Sequence, residues 1–262
     1  MNLDLTGKTA IVCGSTQGIG KASAVELALL GANVTLFARN EETLKKVVQE
    51  LNTSKGQAHR YIVADFAQPD QVKDAIDLYL IAFPEVHILI NNTGGPAGGP
   101  LIDAQPEAFS QTFAAHLINN QNLVQAVVPA MKKAGYGRIV NIISTSVKQP
   151  IVGLGVSNTI RGAVAQWAKT LSLEIAREGI TVNNVLPGYT RTARLDSLLT
   201  ARAKAQHKSE EEMARQLESE IPMGRFATAE EVAAAVAFLC TPAAASINGI
   251  NVPVDGGKTG SL

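Results

Sequence analysis

Short runs of β-branched and aliphatic residues alternate along this chain with longer segments whose apolar residues recur at helical spacing. The strand candidates are Thr9–Cys13, Asn33–Phe37, Ala58–Ala64, Val86–Ile90, Gly137–Ile143, Thr181–Val185 and Ile250–Val254. Helical segments at Glu41–Leu51, Pro69–Phe83, Pro106–Lys133, Ser157–Arg177 and Glu230–Leu239 separate them. An earlier helix buries Ala24, Leu27 and Ala28 and ends at Gly31. Neighbouring parallel strands need a long crossover, usually helical, so this alternation predicts an α/β protein. Its seven strands form one parallel sheet with helices on both faces. The runs IVCG, ILIN and RIVNII are nearly continuous in apolar residues, as strands covered on both sides should be.

No Pro/Gly/Ser-rich linker or charge block interrupts the pattern, so residues 1–262 are expected to form one domain. The 23 basic and 23 acidic residues cancel, which leaves no electrostatic footprint for nucleic acid or an anionic membrane. No apolar run approaches a membrane helix, and the opening MNLDLTGKTA lacks the parts of a signal peptide. Cys13 and Cys240 are far apart and have no metal-ligand spacing, so no metal is expected, and a reduced, cytoplasmic setting is.

The first strand runs into Gly14, Ser15, Thr16, Gln17, Gly18, Ile19 and Gly20, and a helix follows. The spacing is GxxxGxG. Glycine permits the tight turn and close approach of the backbone, and the helix N-terminus offers free N–H groups to a pyrophosphate. At the end of the second strand, where an acid would hold the ribose of NAD, the chain has Arg39 and Asn40. A guanidinium there suits a 2′-phosphate, so NADP(H) is preferred, with NAD(H) as the alternative.

Four further stretches stand at strand ends, where ligands bind in open α/β sheets. They are Ala64-Asp65 (with Phe66 beside it), Asn91-Asn92-Thr93-Gly94, Asn141–Ser144 (which includes Ile142), and Pro187-Gly188-Tyr189-Thr190-Arg191-Thr192. With the glycine turn and the terminal Pro253-Val254-Asp255-Gly256-Gly257, they resemble the classical short-chain dehydrogenase/reductase family over essentially the whole chain. The resemblance implies a Rossmann-like three-layer fold that binds NAD(P)(H). Asp65 would hold adenine. Asn92, Thr93 and Gly94 would line the adenine-ribose side, and Pro187, Gly188, Thr190 and Thr192 the nicotinamide end. It further implies a small carbonyl or alcohol substrate and a homodimer or homotetramer built through the two long helices.

The family's catalytic group is Asn, Ser, Tyr and Lys. Its register, counted from Ser144 and supported by AKTLSLE at 168–174, places His116, Ser144, Ser157 and Arg161 at those four positions. A divergent subgroup, commonly labelled 3-oxoacyl-carrier-protein reductases, is similar at Val147-Lys148-Gln149-Pro150, Ser157-Asn158, Arg161 and Asn91–Pro96. Arg161 can replace lysine as ribose ligand and fixed charge, but it cannot exchange protons near neutral pH. Ser157 is a poor acid and also suits a helix N-cap. His116 titrates in the useful range; Tyr189 and Lys148 stand near the expected pocket. The proton donor stays open among them.

The segment Arg191–Ile221 is long, polar and helical in pattern; it reads as a solvated helix pair, as a lid over the ends of strands five and six, or as both. Three functions follow. The first is carbonyl/alcohol oxidoreduction with a relocated or water-borne proton relay. The second is an NADP(H)-binding pseudo-enzyme or sensor. The third is a lyase or isomerase without net hydride transfer.

Overall fold

The structure is a computed structural model and describes residues 1–261. Seven strands form one parallel sheet: β1 (Thr9–Cys13), β2 (Asn33–Ala38), β3 (Arg60–Val63), β4 (Ile88–Asn91), β5 (Gly137–Ile142), β6 (Ile180–Pro187) and β7 (Asn251–Val254). Their spatial order is β3-β2-β1-β4-β5-β6-β7, so the winding reverses between β1 and β4. A crevice opens at such a reversal, beyond the carboxyl ends of the strands.

Strand residues alternate between two cores. Ala10 and Val12 of β1 pack with α1 (Gly18–Leu29), α2 (Glu41–Glu50) and α9 (Ala229–Cys240). Ile11 and Cys13 pack on the other face with α3 (Pro69–Ala82), α5 (Asn119–Ala134) and α6 (Gly155–Glu174). This two-sided burial is why the strands lack polar alternation.

Two expectations need adjustment. The long helix expected over Pro106–Lys133 is α4 (Pro106–Phe113) and α5, joined by a π-helical turn at Ala114–Ile118. One extra residue per turn there re-aims His116. The helix expected from Ser157 begins at Gly155, which puts Ser157 inside its first turn. Ser157 is therefore not the N-cap; that position is Leu154. The segment 191–221 holds the expected helix pair, α7 (Ala193–Gln206) and α8 (Glu210–Ser219). They share a small core of Leu195, Leu199, Met213, Leu217 and Phe226, so the pair is apolar inside and polar only outside. Among the described residues no helix is long and apolar enough to cross a membrane.

Candidate active site

The glycine turn closes against the end of β4. Gly14 has φ +59° and Gly18 φ +54°, both in the left-handed region. A Cβ on Gly20 would stand 2.2 Å from the Gly14 carbonyl oxygen. Asn92 donates from Nδ2 to the carbonyls of Cys13 and Gly14, at 3.3 and 3.2 Å, and so ties the two sides of the crevice together. Ser15 turns inward: its buried hydroxyl accepts from the Phe37 N–H at 3.0 Å and fixes the turn to the end of β2. Gln17 makes no side-chain cap and the first turn of α1 carries no acid, so the leading N–H groups of that helix are left for an anion. Thr192 reaches the same turn, its Cγ2 being 3.3 Å from where a Gly18 Cβ would lie. Gly188 packs on Asp255 of the terminal motif, and the Thr190 hydroxyl donates to the Gly188 carbonyl at 3.2 Å.

At the far end of the crevice Arg39, Asn40, Val63, Ala64, Asp65 and Gln71 line a cleft. Arg39 is exposed, whereas the Asn40 side chain caps α2 by accepting from the Thr43 N–H at 2.9 Å. Asp65 accepts from the Ala67 N–H, and Phe66 packs edge-on against Phe37 with ring centroids 5.2 Å apart. These surroundings fit an adenosine 2′-phosphate: a cation at the β2 end with no acid beside it on that strand.

The other end of the crevice gathers His116, Arg161, Asn91, Asn92, Thr93, Asn120 and Ile142 around a small void. Arg161 is only 8% exposed and donates from Nη1 to the Ile142 carbonyl at 2.8 Å. Burial, and then repulsion from Arg194, lower its pKa to about 10, so it stays a cation at neutral pH. His116 is 3% exposed. Burial, followed by the neighbouring Arg161 charge, pushes its pKa down to about 2, with the Gly94 carbonyl only partly opposing this. The expectation that His116 titrates in the useful range is therefore corrected: at neutral pH it is an uncharged imidazole beside a cation.

His116 has a consequence for stability. The unfolded chain protonates this side chain below its ordinary value of 6.5, while the fold refuses the proton until about 2. Between those values the unfolded state binds more protons, so stability falls as pH falls, by up to about 1.4 kcal/mol per pH unit. Urea unfolding at pH 7.5 and 5 should therefore show wild type losing about 2 kcal/mol more than His116→Asn. Parallel losses in the two proteins would mean that His116 is not held neutral.

Ser144 caps a 3₁₀ turn (Thr145–Val147), its oxygen accepting from the Ser146 N–H at 3.1 Å. Among the described residues its hydroxyl donates to no acceptor. Tyr189 packs against the α7–α8 pair: its ring meets Phe226 edge-on and its hydroxyl accepts from Arg202 at 2.9 Å. Of the predicted catalytic residues, His116 and Arg161 line the void, whereas Ser144, Ser157 and Tyr189 lie outside its lining.

Two features had no signal in the spacing. Asn91, Asn141, Asn184 and Asn251 sit at paired register positions and pass an amide hydrogen bond across four strands, at 2.8, 2.9 and 2.8 Å. The ladder ends at Asn91 Oδ1, which is buried and unpaired on the Arg161 side. Arg194, in the first turn of α7, donates to the Pro96 carbonyl at 2.6 Å and so joins α7 to the loop after β4. The strand alternation reveals each asparagine singly, but only the register makes them a ladder.

A parallel doubly covered sheet, a glycine turn at its reversal and an uncapped helix facing that turn define a dinucleotide-binding α/β protein. A family model described as enoyl-(acyl carrier protein) reductase matches residues 14–259. A tropinone reductase homolog of Arabidopsis thaliana is 35% identical over 256 residues, covering 97% of this chain and 91% of that one. The D-beta-hydroxybutyrate dehydrogenase of Rhizobium meliloti (strain 1021) is 32% identical over 257 residues, covering 96% and 98%. The L-sorbose reductase of Gluconobacter frateurii, solved with NADPH and L-sorbose, is 28% identical and superposes with a TM-score of 0.93 over the whole of both chains. The chain belongs to the short-chain dehydrogenase/reductase family and is an NAD(P)-dependent oxidoreductase by class.

Proposed function

We propose that the protein is an NADP(H)-dependent oxidoreductase that interconverts a carbonyl and an alcohol without a titrating side-chain acid. The observation that carries this reading is Arg161, a buried, permanent cation beside a neutral His116 at the end of β5. The glycine turn and the N-terminus of α1 would hold the pyrophosphate, Arg39 the 2′-phosphate, and Arg161 the nicotinamide ribose. NADPH, when bound, supplies the hydride. The Ser144 hydroxyl donates to the carbonyl oxygen and orients it. The fixed charge of Arg161 stabilises the negative charge that develops there, at a site too dry to screen it. Water delivers the proton to the alkoxide oxygen. The lid helices α7 and α8 shield the site, and exposed Phe113, Ile118 and Leu173 on α4–α6 and the π-helical turn support pairing with a second copy.

The test is a titration with both cofactors, followed by a pH profile. NADPH is expected to bind at least about tenfold more tightly than NADH, and Arg39→Ala to remove most of that difference. Equal affinities would overturn the 2′-phosphate assignment, and no binding of either would overturn the oxidoreductase reading. Turnover should stay nearly flat between pH 6 and 9, because the pKa values of about 2 and about 10 lie outside that interval. A single ionisation inside it would reveal a titrating acid. A second reading, an NADP(H)-binding sensor, draws on the engagement of Tyr189 by Arg202 and the uncharged His116. Tight NADPH binding with no turnover across a panel of aldehydes and ketones would favour it.

A further inference from the structure

Two guanidinium groups converge on Gly95, in the loop that follows β4. A Cβ placed there would lie 3.8 Å from Arg194 Nη2 and 3.9 Å from Arg161 Nη2. Arg161 comes from beneath, out of α6, and Arg194 from above, out of the first turn of the lid. The hydrogen bond of each goes to a neutral backbone carbonyl, Ile142 for Arg161 and Pro96 for Arg194. Among the described residues neither has a carboxylate within ion-pair distance. Burial first, and then repulsion between the two cations, lowers the pKa of Arg161.

A buried cation facing a like charge with no counter-ion is unfavourable by itself. An anion between the two planar forks would relieve both the desolvation and the repulsion, and a carboxylate matches the fork geometry. The cofactor's pyrophosphate has its own cradle at Gly14–Gly20, next to Thr192. Gly95 follows Asn92 and Thr93 in the loop after β4, next to Pro96, whose carbonyl accepts from Arg194.

We propose that Arg161 and Arg194 together receive a carboxylate of the substrate, so that the preferred substrates are oxo acids and hydroxy acids rather than neutral ketones and alcohols. This rests on the carbonyl/alcohol reading above. Arg194 is a specificity-determining residue here: it binds the substrate's anionic group and takes no part in the bond changes.

The experiment uses malonate as the carboxylate probe and dimethyl malonate as its neutral counterpart, titrated calorimetrically with and without saturating NADP⁺. Acetoacetate and methyl acetoacetate serve as the turnover pair with NADPH. Wild type is expected to bind malonate and not its diester. Arg194→Gln should weaken malonate binding and raise the KM for acetoacetate by about tenfold or more, leaving the affinity for NADP⁺ within about twofold. Arg194 is exposed and outside both cores, so the variant is expected to fold, and circular dichroism verifies this. Malonate binding that is absent, or indifferent to Arg194→Gln, overturns the proposal. So does a loss confined to NADP⁺ affinity, which would mean that the pair serves a cofactor phosphate. Malonate binding that depends on Arg194 in a protein with no affinity for NADP⁺ would keep the anion site and defeat the oxidoreductase reading instead.

Discussion

Arg161→Met should make the protein more stable and far less active. Burial and repulsion hold the guanidinium pKa at about 10, down from 12.5, which corresponds to about 3 kcal/mol spent on keeping the charge inside. Methionine fills much of the same volume without a charge. The change loses the hydrogen bond to the Ile142 carbonyl, worth about 1–2 kcal/mol. The balance favours the variant by about 1–2 kcal/mol, a rise of a few degrees in melting temperature without cofactor. The charge removed is the one that would face the developing alkoxide and the ribose. Reduction should therefore slow by about 10²–10³-fold, and NADPH should bind about tenfold more weakly. Scanning calorimetry and single-turnover kinetics on the two proteins decide it. A variant that melts lower and binds NADPH normally would make Arg161 a structural residue.

Gly20→Ala carries the second large effect, and here the cause is space rather than backbone conformation. The new Cβ would sit 2.2 Å from the Gly14 carbonyl oxygen and 2.7 Å from Asn92 Nδ2. The carbonyl is backbone and Asn92 is already tied to both Cys13 and Gly14, so neither can yield cheaply. The turn must open, at a cost of about 1–3 kcal/mol, and the N–H groups of α1 then miss the pyrophosphate. NADPH affinity should fall by about 100-fold or more. Gly162→Ala, on α6 with nothing within 4 Å of its Cβ, is the control. It should leave binding unchanged and, with helix propensity improved, gain about 0.5–1 kcal/mol. Equal behaviour of the two variants would remove the steric argument for the turn.

The parts legible in the sequence were those whose physics is local. Hydrophobic runs bounded by helical spacing located every strand, and errors were confined to their ends. Ala58–Ala64 shortened to Arg60–Val63, while Thr181–Val185 lengthened to Ile180–Pro187. The glycine turn, Arg39 and the strand-end motifs are contiguous stretches, each legible from its place after a strand. The helix expected to start at Ser157 shows the limit. A Ser-Asn-Thr run suits an N-cap, yet tertiary contacts extend α6 back to Gly155, where Leu101 packs against the glycine.

By itself the sequence determined the parallel sheet and the glycine turn that follows its first strand. Each of these depends on the identity and order of residues close together in the chain. Only the tertiary structure decided the charge states of His116 and Arg161. The ionisation of His116 and Arg161 depends on how much water their neighbours exclude, and those neighbours come from β4, β5 and α5. The same holds for Arg161 and Arg194. They lie on separate helices with β6 between them in the chain, and their convergence on Gly95 exists only once the lid has packed over the loop after β4.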